Sequence, residues 1–273
     1  MAVSGLTESN DGPILGYGRL VMLRTVRFTA GSWVALATIT APLFAGGKLL
    51  SDPREILKRA DAAMKEVKTI SYVAKYTSEG WVKPFVADVE GRAVLGPNAD
   101  YDVPRFYCEV SIKKPDWDAP KKFKAGCDGN EYYLIDAKTK TAYHDMDPVV
   151  LGANSRNIQR VALPEFTLDE PLKDELEAKD LTLAGTKTID GETCYEIRIG
   201  LEKQQEKAIV WWISTKDFLP RGIKRIYPPR GEGTEDGSTQ LILSKLTATP
   251  KFKLDVFKLR VPEGYTKTDE FAP

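Results

Sequence analysis

One histidine, three cysteines and scattered acidic groups are what this chain offers for side-chain chemistry. His144-Asp145-Met146-Asp147 sets an imidazole among carboxylates, donor types that suit a divalent metal. The same residues also read as a strand end followed by Asp147-Pro148, a helix cap with proline at the first helical position. That plainer reading is preferred. Asp116-Trp117-Asp118 offers paired carboxylates of the kind used in general acid–base work, but between two lysine-bearing strands it reads as a solvated turn. Glu232, Glu235 and Asp236 lie in a Gly-rich loop without the spacing of a calcium loop. A serine nucleophile would need His144 as its base, and no Gly-x-Ser-x-Gly supports one. No phosphate-binding glycine motif precedes a helix. Cys108, Cys127 and Cys194 form no Cys-x-x-Cys pair, so neither a zinc ribbon nor a thioredoxin motif is on offer. The chain therefore reads as non-enzymatic, with no catalytic residue, no metal ligand and no cofactor to assign.

What the sequence does specify is a frame. Asp52-Pro53-Arg54-Glu55 is a helix start with a capping-box spacing. Ile56, Leu57, Ala60, Ala63, Met64 and Val67 then recur at helical spacing, so one face of this helix lies on something apolar. Strands follow. Ile70, Tyr72, Ala74 and Tyr76 alternate with polar neighbours, Trp81 to Leu95 is a long run interrupted by Pro84 and Gly91, and residues 105–113 and 121–127 read as the arms of a hairpin. Asn130 to Asp136 and Thr141 to Asp145 form the next pair. Residues 147–180 change character and read as helical pieces. From Leu181 a β-meander resumes through Thr239 to Ala248, closing with a short strand near Phe257 to Val261. Within it, Asp190-Gly191 supplies the positive φ angles of a tight hairpin turn, and Pro220 marks a strand start. The reading is an α+β fold: a curved antiparallel sheet of about 10–11 strands forming a half-barrel around an N-terminal helix and a mid-chain helical lid.

Composition narrows the partners. The chain has 273 residues with 39 basic and 39 acidic side chains, which excludes a strongly basic nucleic-acid surface. Residues 1–45 stand apart from the fold. Arg24 and Arg27 precede an uncharged run from Phe28 to Ala45, the grammar of a secretory signal peptide at about residues 22–45, with a further extension before it. The rival reading is an uncleaved anchor, which Gly31, Thr38, Thr40 and Pro42 disfavour. Residues 46–273 are then one exported domain, periplasmic or otherwise in the bacterial cell envelope.

The meander carries a resemblance. Gly185-Thr186, Asp190-Gly191, Trp212-Ile213-Ser214 and Leu219-Pro220-Arg221, with Phe257 and the closing Val261-Pro262-Glu263-Gly264-Tyr265, resemble the second half of the periplasmic outer-membrane lipoprotein carriers (LolA/LolB type). The match spans most of residues 50–266. It implies a half-barrel whose helices cover an apolar cavity, and hence lipid or lipoprotein acyl chains as partners, handled by a monomer peripheral to the membrane at most. The same half-barrel also resembles the sensor domain of periplasmic anti-sigma regulators, which implies an envelope protein as partner instead.

Aromatic and branched residues on a curved sheet can hold an acyl chain without any catalytic group. Burying one methylene contributes about 0.8 kcal/mol, so a long chain gains on the order of 10 kcal/mol. The expected cavity residues are Leu57, Ala60, Met64, Ile70, Tyr72, Tyr76, Phe106, Val110, Phe123 and Trp212. Export also permits a disulfide. A hairpin centred between residues 117 and 118 would set Cys108 opposite Cys127, leaving Cys194 unpaired.

Overall fold

The computed structural model describes residues 49–114, 117–201, 206–231, 233–249, 251 and 253–270. The expected signal segment and the extension before it lie outside the described residues. The first element is α1 (Pro53–Lys65). Its start follows the sequence signal: Asp52 Oδ1 accepts the Arg54 amide at 2.9 Å. Glu55 is engaged differently from a capping box, taking the Arg59 guanidinium at 2.8 Å one turn on. Ile56, Leu57, Ala60 and Met64 form the buried stripe.

The strands follow in chain order: β1 (Thr69–Glu79), β2 (Asp88–Gly96), β3 (Arg105–Lys113), β4 (Lys121–Asp128), β5 (Tyr132–Asp136) and β6 (Thr141–Asp145). The start of the run expected as strand from Trp81 instead belongs to a 3-10 turn over Gly80–Phe85. Gly80 sits at φ 65°, and a β-carbon there would lie 2.4 Å from the Asp236 carbonyl. The chain must turn at this point, and it leaves Phe85 exposed.

The middle of the chain is helical, as expected. Asp147 Oδ1 accepts the Val149 amide at 2.8 Å and starts a 3-10 segment over Pro148–Asn154. Then come α2 (Ser155–Val161), a 3-10 turn at Pro164–Thr167 and α3 (Lys173–Glu177). The second meander is β7 (Leu181–Ile189), β8 (Glu192–Gly200), β9 (Ala208–Ser214), β10 (Pro220–Tyr227) and β11 (Gly237–Thr249). Asp190 and Gly191 both take positive φ, 49° and 76°, as the hairpin between β7 and β8 requires. The expected strand near Phe257 to Val261 is absent; Leu254–Val256 is a 3-10 turn that anchors Phe257 in the interior. The last strand is β12 (Thr266–Thr268).

The twelve strands among the described residues join one sheet in the order β12-β6-β5-β4-β3-β2-β1-β11-β10-β9-β8-β7. Neighbours are antiparallel except β12, which lies parallel to β6. The sheet is curved and open, an α+β half-barrel. Its centre is non-local: β1 pairs with β11, so Thr69 faces Thr249. Inward side chains of this sheet, the stripe of α1 and the mid-chain segment share one apolar core. Smaller clusters lie elsewhere, one of them formed by Ile189, Cys194, Val210 and Trp212. Among the described residues no helix is long and apolar enough to cross a membrane.

Candidate functional site

The sheet's inner face gathers nine of the ten expected residues. Leu57, Ala60 and Met64 reach it from α1, Ile70 and Tyr72 from β1, Phe106 and Val110 from β3, and Phe123 from β4, with Tyr76 packed at its margin. Alternation along β1 and β3 dictates this, because residues two apart share a face. Trp212 is the exception. It lies in the separate cluster with Val210, while Trp211 is fully buried in the main core. Every residue of β9 is buried, so polarity along this strand gives no phase. The phase is readable only across the ladder. Trp212 faces Glu196 and Val210 faces Arg198, whereas Trp211 faces Ile197. Charged residues on β8 thus mark the outer side, and Trp212 Nε1 donates to Glu196 Oε2 at 2.8 Å.

The Cys108–Cys127 bond is also corrected. The hairpin forms, but Cys108 pairs with Ala125 and Cys127 with Phe106. Its loop closes earlier than expected, with the Trp117 amide donating to the Lys114 carbonyl at 3.2 Å. The two cysteines are therefore diagonal neighbours, roughly 7–8 Å apart, too far for a disulfide. All three cysteines are free and buried. Burial pushes the Cys108 thiol up to about 12 and those of Cys127 and Cys194 to about 11.

The other chemistry candidates resolve simply. His144 pairs across the sheet with Tyr133 near the end of β6, its Nδ1 lying 3.7 Å from Glu131. Among the described residues no group of three His, Cys, Asp or Glu side chains is placed to hold a metal. The Leu219-Pro220-Arg221 motif has a structural task. Arg221, 5% exposed, reaches Asp217 at 2.7 Å and Glu192 at 2.9 Å. Ser214 donates to the same Glu192 at 2.9 Å, so the motif ties β8 to the β9–β10 hairpin.

The inner face is covered rather than open, and polar contacts hold the cover. Tyr72 OH accepts the Leu163 amide at 2.9 Å, and burial raises the phenol far above its usual range. From α1, Asp61 accepts the Leu172 amide at 3.2 Å. Two turns back along the same helix face, Arg54 donates to the carbonyls of Leu176 and, at 3.0 Å, Ala178. Two side chains of α1 thus grip both ends of α3. A shallow groove of about 440 Å³, by contrast, is lined by Lys75, Thr77, Glu79, Lys83, Asp88 and Gln240 and is polar.

Under the cover lie polar groups that the sequence reading missed. Glu165 Oε1 is 3.7 Å from Arg225, which also meets Glu206 at 3.1 Å. Glu165 Oε2 and Trp211 Nε1 are buried without a hydrogen-bond partner. Burial raises the Glu165 carboxyl, against the pull of Arg225. Burial likewise pushes Glu175 up to about 7, the charge of Glu165 adding to the rise and the nearby Trp211 indole opposing it. In sequence Glu165 and Glu175 look like surface acids of a polar stretch; only the docking of that stretch on the sheet half-buries them.

No family model and no curated protein sequence matches the chain. Solved structures do. The chain is similar to LprF from Mycobacterium bovis, at 11% identity and a TM-score of 0.47, over 79% of this chain and 99% of that one. It is similar to a LolA superfamily protein. That protein, NE2245 from Nitrosomonas europaea, aligns at 12% identity with a TM-score of 0.30, over 77% of this chain and 99% of its own. The MucA/MucB complex of Pseudomonas aeruginosa aligns at 10% identity and a TM-score of 0.42, over 77% of this chain and 62% of that one.

Proposed function

We propose that this chain is an exported, non-enzymatic binding protein that holds an apolar ligand, a lipid or a lipoprotein acyl chain, between the concave face of the half-barrel and its helical cover. It would work as a monomer in the bacterial envelope, with residues 46–273 as the binding domain after loss of a signal peptide at about 22–45. One observation carries this reading. The inner face is a continuous apolar and aromatic surface, and the segment over it is held at its polar points by Tyr72, Asp61 and Arg54. Lifting that segment exposes apolar surface that a chain of methylenes can replace, each contributing about 0.8 kcal/mol. In this reading the ligand site is made by displacing the cover. The test is organic extraction of protein made in an exporting host, followed by mass spectrometry. Stoichiometric lipid is expected. Protein that comes away clean and also fails to take up a fluorescent acyl chain contradicts the proposal.

A further inference from the structure

The turn between β9 and β10 carries a residue that local sterics disfavour. Five described residues other than glycine take positive φ; four are Asp or Lys, and the fifth is Phe218, at 58°. The turn itself is well made. The Phe218 amide donates to the Ser214 carbonyl and the Ser214 amide to the Leu219 carbonyl, both at 3.1 Å, and Asp217 Oδ1 accepts the Leu219 amide at 3.0 Å. None of these bonds involves the Phe218 ring. Glycine or asparagine suits a left-handed position of this kind, and a bulky side chain there is strained. The ring therefore serves something other than the turn.

Its surroundings show what it closes. The Phe218 ring lies nearly parallel to that of Tyr195 on β8, at 18° and with centroids 6.3 Å apart. The Arg59 guanidinium of α1 covers it at 5.4 Å. Phe218 is half-buried and packs on the apolar core, whereas Arg59 is exposed. Tyr195 is buried, and its hydroxyl accepts the amide of Leu50, just ahead of α1, at 3.1 Å. On a helix of about 3.6 residues per turn, Arg54 and Asp61 flank the buried stripe of α1 on one side and Arg59 on the other. The first flank is joined to the cover by hydrogen bonds. The second meets the sheet at Phe218 and Tyr195 through stacked rings and a cation over a ring. Contacts of this second kind demand less exact geometry than hydrogen bonds, so the ring can swing out and return while the turn keeps its own bonds.

We propose that this corner is the port of the binding site. The leading end of an alkyl chain enters between α1 and β8 as the Phe218 ring swings out, and the ring closes behind it. The inference rests on the binding reading above and supplies its route of entry. The ligand class is an unbranched amphiphile, because the opening left by one phenyl ring admits a single extended alkyl chain. Arg59, itself held by Glu55 at 2.8 Å, keeps the ring in place from outside. Port and cover then lie on opposite flanks of α1.

The test is stopped-flow uptake and release of parinaric acid, an unbranched polyene fatty acid that fluoresces in apolar surroundings, by the full chain, by Phe218→Gly and by Arg59→Gln. Phe218→Gly removes the ring and suits the backbone, so the turn keeps its fold. Uptake and release are both expected to quicken by about tenfold in this variant, the size that one ring stack and one cation–π contact together supply. Arg59→Gln, a surface change that leaves the ring, quickens both by about threefold and guards against a glycine variant that fails to fold. The ratio of the two rates, which is the affinity, moves less than either rate. A ring that only packs on the core would instead raise release alone. If uptake by both variants is no faster than by the unaltered chain, the port lies elsewhere while the binding reading stands. If the unaltered chain takes up no parinaric acid, the binding reading itself falls and this inference with it.

Discussion

Glu175 and the cysteines give the most direct consequences at the residue scale. The Glu175 carboxyl has an ordinary value of 4.5 and is pushed to about 7 in the folded protein. The folded state therefore holds a proton that the unfolded chain has lost, and stability falls as pH rises between those values. Over that window the loss amounts to up to about 3 kcal/mol, from 1.36 kcal/mol per pKa unit. Glu165 shifts in the same direction. Denaturant midpoints should drop from pH 5 to pH 8, and Glu175→Gln should flatten that slope; equal slopes in both proteins would contradict the burial of this side chain. The thiols offer a second check. Three cysteines per chain, all buried and free, should react with a thiol reagent only on unfolding, and then to three equivalents without reductant. A yield of one would restore the disulfide that the register excludes.

At the scale of elements, much was legible and some was not, for identifiable reasons. Short-range signals read correctly: the caps at Asp52 and Asp147, the Asp190-Gly191 turn and the strand start at Pro220 are fixed by local sterics and hydrogen bonding. Signals settled by a distant partner did not. Residues 80–85 carry apolar residues in a strand-like pattern, but the closeness of Asp236 to Gly80 decides their turn. Thr266–Thr268 is short and polar, and becomes a strand by pairing with β6. Trp211 and Trp212 differ only through their partners on β8. Where alternation was clean, on α1, β1, β3 and β4, the residues expected to share one face do so, whereas Trp212, on the strand buried along both faces, lies in a separate cluster. Two substitutions test the cover. Leu57 is fully buried, so Leu57→Ala should cost about 2–5 kcal/mol. Tyr72→Phe removes the acceptor of the Leu163 amide and should cost about 1–3 kcal/mol by leaving that buried N–H unsatisfied. Chemical denaturation measures both, and an unchanged midpoint in either would mean that its contact is not made.

The whole molecule is a sheet whose two ends in sequence meet at its centre. Because β1 pairs with β11, the half-barrel is complete only when most of the chain is present, and α1 is held against β7, α3 and the Pro164–Thr167 turn. The mid-chain segment joins the two meanders and, among the described residues, is the stretch that crosses the apolar face with little regular structure of its own; α3 has five residues. The cover is tied down by a few polar contacts and by buried side chains such as Val161, Leu163 and Leu172, and its displacement is the event the proposed function requires. Hydrogen exchange with and without saturating dodecanol, a neutral amphiphile, locates that event. The account predicts faster exchange at the amides of Leu163 and Leu172, whose acceptors are Tyr72 and Asp61, with the outer residues Lys75, Thr77 and Gln240 unaffected. Changes confined to that polar groove, with the cover unaltered, would contradict it.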